Sequence, residues 1–327
     1  MTSEKDSKFL AITLALLTVY LFWGGTYLGM KVAIESIPPF IMAGVRFFLA
    51  GVVLFVIGRW KGAELPVAAE WKGSGIVGAL LLLGGNGVVA WAELRLPSAI
   101  ASLLVATVPL WILIFNWLGG SRQKPTVGVM AGILFGLAGV AVLVIHPGGS
   151  DSQGIDTIGI LALLFASICW SVGSLYSRNA KLPPSPLMST ALQMIVGGVL
   201  LIVASLFLDD WTKLHLAEIT LRSWIALGYL IVFGSIVAYT TYIWLLKHGE
   251  PSLVSTYAFV NPIVAVYLGW MFADEQLTAQ SWIAAAMIIA AVVFITIFRR
   301  KITSQSQPIR KEEEKVQANG RRLEGMS

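Results

Sequence analysis

The chain has one cysteine, Cys169, and only three histidines, His146, His215 and His248, which fall at run ends or in loops on different sides. A lone cysteine cannot close an intrachain disulfide, so a disulfide framework and a Cys-rich metal site are both excluded. Charge is equally scarce. Only 13% of the 327 residues are Asp, Glu, Lys or Arg, about half the share of a soluble protein, which leaves too little to build a water-facing shell. There is no Walker-type glycine-rich loop and no convergent set of His, Asp, Glu or Cys at catalytic or metal-ligand spacing, which argues against ATP drive, cofactors and an enzyme. The net charge of +5 comes from basic residues lying between apolar runs and in the C-terminal segment, not from a folded basic face, so no nucleic-acid partner is expected.

Apolar surface is what the chain has instead. It is 57% hydrophobic, with a mean hydropathy of +0.79, and most of its surface must therefore face lipid. Residues 9–30 are 22 consecutive uncharged positions; as a helix they reach about 33 Å, enough to cross a hydrocarbon core of about 30 Å. Further runs lie at about 38–58, 73–93, 96–118, 126–145, 157–177, 186–208, 223–246, 251–272 and 279–298. Long uniform runs read as helices, because backbone polar groups in lipid need partners within their own segment. The reading is an all-α membrane protein with ten transmembrane helices. The first run ends in Gly24, Gly25, Tyr27 and Lys31 without a small-residue cleavage site, so it is read as a retained helix.

Lys and Arg are held on the cytoplasmic side. Placing the N-terminus inside gathers Arg59, Lys61, Lys72, Arg122, Lys124, Arg178, Lys181, Lys247, Arg299, Arg300 and Lys301 there, and leaves only Lys31, Arg95, Lys213 and Arg222 outside. This predicts an N-in, C-in topology. Residues 299–327 have almost no apolar content and are expected to form a disordered charged cytoplasmic tail.

The chain repeats itself. A shift of 147 lays Trp23 on Trp170, Leu28 on Leu175, Lys31 on Arg178, Pro39 on Pro186 and Gly51 on Gly198. A shift of 153 lays Trp91 on Trp244, Ser102 on Ser255 and Pro109 on Pro262. The order and nearly constant offset point to a duplicated five-helix unit, 9–145 and 157–298, joined at Asp151–Asp156. Five is odd, so the second unit enters the membrane in the opposite sense. Inverted halves around a central site are the architecture of many alternating-access carriers.

Carrier sites lie near the midplane, where helices are interrupted. Pro109, Pro262 and the Gly84-Gly85-Asn86-Gly87 string sit at matching depth, and each proline removes a backbone donor. Either these are solute-site breaks or they are kinks repaired by neighbours. Asn86 and Asn261 are buried amides that need a partner, and are candidate ligand contacts. Arg46, eight residues into the second run, costs about 3 kcal/mol if unpaired; it is either a gate residue or an anchor bonded to carbonyls. Trp23, Tyr27 and Arg46 come to one depth in the outer half, and Trp170, Ser174 and Gln193 to the matching depth in the inner half, which suggests two gates. Glu93 either pairs with Arg46 or Arg95, or takes a proton and couples transport, or is a solvated boundary carboxylate.

Trp60, Trp71, Trp211, Trp224 and Trp282 lie near run ends and fit an interfacial belt. Trp23, Trp91, Trp170, Tyr239, Tyr242, Trp244, Tyr257 and Tyr267 are deeper, and form either a cavity wall for an apolar or cationic solute or ordinary packing. Gly128, Gly132 and Gly136 make a smooth helix face, read as packing within a monomer in preference to a weak homodimer.

Trp23-Gly24-Gly25-Thr26-Tyr27, Pro38 to Gly51, Gly85-Asn86-Gly87, Leu96 to Leu110 and Ser255 to Val266 together resemble the EamA branch of the drug/metabolite transporter superfamily, and within it the YedA-type exporters. The resemblance covers residues 9–298. It implies two EamA units of five helices, a bacterial inner-membrane location, a central cavity, and efflux of small organic molecules such as amino acids, metabolites or toxic compounds. One departure stands out: the second half has an acidic turn, Asp274-Glu275, where the first half reads Gly119-Gly120-Ser121-Arg122. The expected function is a secondary exporter whose partners are a small-molecule substrate and the bilayer. An uptake carrier is the alternative within the class, and a membrane scaffold or receptor the alternative outside it.

Overall fold

The computed structural model describes residues 2–119, 127–145, 156–248, 257–275, 278–279, 282–291 and 293–294. The 299–327 tail, Gly120–Arg122 of the first-half turn and Asp151–Ile155 of the junction lie outside the described residues. Among those described, all regular structure is helical: α1 Thr2–Ala33, α2 Pro39–Trp60, α3 Ala68–Ala92, α4 in two pieces Ser98–Val105 and Val108–Leu118, α5 Val127–Ile145, α6 Thr157–Ser177, α7 Pro186–Leu208, α8 from Leu221 to His248, α9 Tyr257–Ala273 and α10 Trp282–Ala291. Seven of these helices are long and apolar enough to cross a membrane. The α5, α9 and α10 regions supply shorter apolar stretches of 10–17 residues.

Helix starts follow local chemistry. Asp156 accepts from the Ile158 and Gly159 amides to start α6, and Ser185, with Pro186 at the first position, starts α7. A string of small residues fixes the central crossing. A Cβ at Gly51 would meet the Ala191 carbonyl and the Ile195 amide, and one at Gly198 would meet the Gly44 carbonyl and the Phe48 amide. Position 191 lies 147 after 44, and 198 lies 147 after 51, so each half makes the same contact on the other. Backbones approach this closely only where side chains are absent.

These contacts also give helix directions. Gly44 faces Ile202 while Gly51 faces Ile195, so α7 runs against α2. Gly73 faces Lys181 and Gly87 faces Leu201, so α3 runs with α7; Gly84 faces Cys169 and Gly173 faces Leu81, so α6 runs against α3. Since α2 reverses α1 through the short 34–38 turn, α6 runs opposite to α1. On α5, Gly136 packs inside the chain against Leu110 and Ala291.

The two ends differ. At the end carrying the 34–38 and 93–97 turns, the halves are tied by side chains. Asp209 accepts from the Phe40 and Ile41 amides at 3.2 and 2.7 Å. Glu275 accepts from the Ser98 and Ala99 amides and the Ser98 hydroxyl at 2.7, 3.1 and 3.0 Å. Ser223 Oγ donates to the Val32 carbonyl at 2.9 Å, and Arg95 pairs with Asp156 at 2.6 Å. The acidic turn singled out in the sequence is thus a cap supplied by one half to the other. Tryptophans 60, 71, 211, 224 and 282 are all exposed at helix ends, as a belt requires.

Candidate functional site

Two helices widen in the middle. Ala79–Gly87 of α3 and Leu230–Val237 of α8 each form a π-type turn, an arrangement that marks functional or strained positions. The Gly84 to Gly87 interruption expected in α3 is therefore present, and its counterpart lies in α8, where only Gly234-Ser235 signalled it. The paired proline breaks are corrected. α4 is interrupted at Ala106-Thr107, with Pro109 at the second position of its lower piece, but α9 is continuous through Pro262. Around the α4 break the Leu104 and Val108 carbonyls are met by Ser167 and Ser171 of α6, at 3.3 and 3.2 Å. Side chains of α6 thus reach carbonyls on either side of the break.

The α8 turn is the centre of a polar and aromatic cluster. Trp23 of α1 donates through Nε1 to the Gly234 carbonyl at 3.1 Å, and Arg46 of α2 donates through Nε to Ser235 Oγ at 2.9 Å. Trp23 stands 5.0 Å from Tyr242, 5.2 Å from Tyr257 and 6.2 Å from Tyr239, centroid to centroid. Such separations are those of favourable aromatic pairs. Asn261 is buried beside this group, and its Oδ1 has no hydrogen-bond partner among the described residues. Its main-chain oxygen faces Gly24, next to Trp23. Tyr27, one turn beyond Trp23, is half-buried against the main core.

Arg46 is 4% exposed. Its guanidinium lies 4.6 Å from the Phe47 ring, and its one hydrogen-bond partner among the described residues is the Ser235 hydroxyl. That corrects the expectation of a carbonyl anchor. It also removes the Arg46–Glu93 pair, and Arg95 is taken by Asp156. Glu93 is not solvated either: it is 0% exposed, and neither carboxylate oxygen has a partner among the described residues. The nearest ammonium contact goes to its backbone, where Lys31 Nζ donates to the Glu93 and Leu96 carbonyls at 2.5 and 3.2 Å. Sequence reasoning found Glu93 but not its isolation, which depends on Lys31 and Arg46 bonding to other acceptors.

The first-half counterpart is chemically poorer. Trp170 packs on Gly85 of the α3 turn, Ser174 Oγ donates to the Trp170 carbonyl at 2.7 Å, and Gln193 donates to Ser189 Oγ at 3.0 Å. Asn86 donates back to the Leu81 carbonyl at 3.5 Å. Trp91 covers Arg95, with 4.8 Å from ring centroid to guanidinium carbon. Of the remaining deep aromatics, Tyr267 is 53% exposed and pairs with Trp270, and Trp244 is also exposed. These two lie outside the cluster. Ser235 was not anticipated; a serine beside glycine in an otherwise apolar window is the only signal it gives.

The chain is 39% identical over 284 residues to the uncharacterized inner membrane transporter YedA of Escherichia coli K12, covering 86% of this chain and 90% of the relative. It is 26% identical over 303 residues to the uncharacterized transporter YoaV of Bacillus subtilis 168, covering 89% and 99%. It is 26% identical over 314 residues to a probable amino-acid metabolite efflux pump of E. coli K12, covering 90% and 96%. A solved crystal structure shares the fold, with a TM-score of 0.59 at 24% identity over 89% of this chain and 98% of the other. Residues 10–145 and 157–297 each match the family described as EamA-like transporter, and the chain belongs to that family.

Proposed function

We propose that the protein is a bacterial inner-membrane secondary carrier that exports small organic solutes, such as amino acids, metabolites or toxic compounds, by alternating access. In this reading ten transmembrane helices form two inverted repeats, 9–145 and 157–298, with both termini inside, and the turns at 34–38 and 93–97 face outward. One observation carries it: the α2–α7 crossing, where Gly51 on Ala191 and Gly198 on Gly44 make one contact twice with the halves exchanged. A pair of equivalent, oppositely directed halves can exchange conformations and so open to either side. The inner-membrane location is supported by the name of YedA, and export by the name of the efflux pump.

The solute contacts are drawn from the α8 cluster, namely Trp23, Tyr27, Arg46, Tyr239, Tyr242, Tyr257 and Asn261. Asn86, Trp91 and Pro109 of the first half, with Trp170 and Ser174 of the second, complete the route. The working unit is a monomer or a weak homodimer; the packing of Gly136 against Leu110 and Ala291 within the chain supports the monomer.

A thermal-shift screen of purified protein against amino acids, nucleosides and cationic toxicants, followed by flux of the hits in proteoliposomes, tests the reading. Stabilising ligands that are also transported are expected; absence of carrier-dependent flux for every stabilising ligand overturns it. Cysteine at position 46 or 86, in a Cys169→Ser background, should react with a polar thiol reagent, and protection at both positions removes the site assignment.

A further inference from the structure

The outer closure contains an acid that it leaves without a hydrogen-bond donor. Glu93, the C-cap of α3 at the end where the halves are tied, is fully buried, with both carboxylate oxygens unpartnered among the described residues. The charged groups within its electrostatic reach are Lys31 of α1, Arg46 of α2 and Glu275 after α9, and the Tyr27 hydroxyl feels its charge in turn. Each of the three charged groups is engaged elsewhere. Lys31 holds the Glu93 and Leu96 carbonyls, Arg46 holds Ser235, and Glu275 holds Ser98 and Ala99. A buried carboxylate with no donor is far more costly than the neutral acid in the same place. An arrangement that spends both neighbouring cations on other acceptors is therefore built for the neutral acid.

We propose that Glu93 is a proton-binding site that governs the outer closure: protonated while the outer end is tied as described here, and deprotonated when that end opens. On opening, the O–H bond breaks and the proton passes to water at the outer end. The Lys31 ammonium, freed from the two carbonyls, becomes the countercharge of the new carboxylate. Linkage then requires that the outer-open fraction rise with external pH, because the closed form binds the additional proton. The inference rests on the carrier reading for the sense of outer and inner, but its test does not require a transported solute.

The test uses the full chain in nanodiscs with Cys169→Ser and a reporter at Ala33, which is 0% exposed, introduced as Ala33→Cys. Its labelling rate by a polar thiol reagent is divided by that of Leu216→Cys, whose site is 72% exposed, which cancels the thiol's own titration. Between about pH 5 and about pH 8 the normalised rate should rise about tenfold, the effect of a one-unit difference in proton affinity between closed and open forms. Glu93→Gln should hold the rate low and flat, and Glu93→Asp should keep a pH dependence. Infrared spectra at neutral pH should contain a protonated-carboxyl C=O stretch that Glu93→Gln removes. A flat rate in the parent, an unchanged pH profile in Glu93→Gln, or spectra identical between the two overturns the proposal. Solute flux that continues while these readouts fail leaves the carrier reading standing and the proton site refuted; pH-dependent labelling without flux of any solute does the reverse.

Discussion

The two ends of the bundle are held by different means. At the end carrying the 34–38 and 93–97 turns, the outer end in the proposed topology, acids of the second half cap helices of the first: Asp209 caps α2 and Glu275 caps α4. At the inner end the described caps are local. Ser185 accepts from Met188 within α7 at 3.5 Å, and Arg59 reaches the Ala63 carbonyl four residues on. A helix start capped by its own chain neighbour survives any movement of the other half, whereas one capped across the interface loses its acceptor when the halves separate. Separating the halves at the first of these ends thus carries a cost that the described caps of the other end lack, which in the proposed topology fits a state closed outside.

Glu275 should produce the largest effect. Glu275→Ala strands the Ser98 and Ala99 amides and the Ser98 hydroxyl, and a destabilisation of about 2 kcal/mol is expected. Thermal unfolding in detergent measures it, and outer-end labelling at Ala33→Cys should increase in parallel. Glu275→Gln keeps an acceptor and should cost about half as much. Equal stability of the alanine variant and the parent would break the contrast between the ends. Lys31→Met comes next, because two carbonyls lose one charged donor: about 1.5 kcal/mol is expected, again with faster outer labelling.

Much of this frame was legible in the sequence. The runs read at 157–177 and 186–208 coincide with α6 and α7, because hydrocarbon thickness sets helix length and charge sets its ends. The α2–α7 crossing was foreshadowed by Gly51 falling on Gly198. The site was less legible, for physical reasons. The π turn of α8 leaves an apolar run apolar, so hydropathy does not register it, and Pro262 is accommodated without a break in the helix. The isolation of Glu93 is a property of what other helices do with Lys31 and Arg46. Local sequence carries no record of that choice.

Asp209 offers a smaller and more discriminating perturbation. Burial pushes its carboxyl above the ordinary value of 3.8, against the lowering effect of the Ile41 and Phe40 amides. The charge is therefore a net cost in the folded state while the acceptor is a benefit. Asp209→Asn keeps one oxygen, for either the Phe40 or the Ile41 amide but not both, and should be milder than Asp209→Ala, for which about 1 kcal/mol is expected. Ser185→Ala at the inner end should cost no more than this and leave outer labelling unchanged. If Ser185→Ala accelerates outer labelling as Lys31→Met does, the two ends are not distinct.

The smallest effect is expected at Asp156, and its sign is opposite to that at Asp209. The hydrogen bond from Arg95 is the main reason its carboxyl lies below 3.8, helped by the Ile158 and Gly159 amides. A depressed acid binds fewer protons folded than unfolded, so its stabilisation is complete above the ordinary carboxylate range and disappears as pH falls through the depressed value. Asp209, raised by burial, behaves in reverse: its charge penalty applies above its raised value and is relieved as pH falls towards 3.8. In an acid titration of thermal stability, the parent should therefore lose ground to Asp156→Asn as pH drops and gain ground on Asp209→Asn as its own burial cost is relieved. Salt separates them further, because the Arg95–Asp156 pair is exposed and screened whereas the Asp209 cap is half-buried.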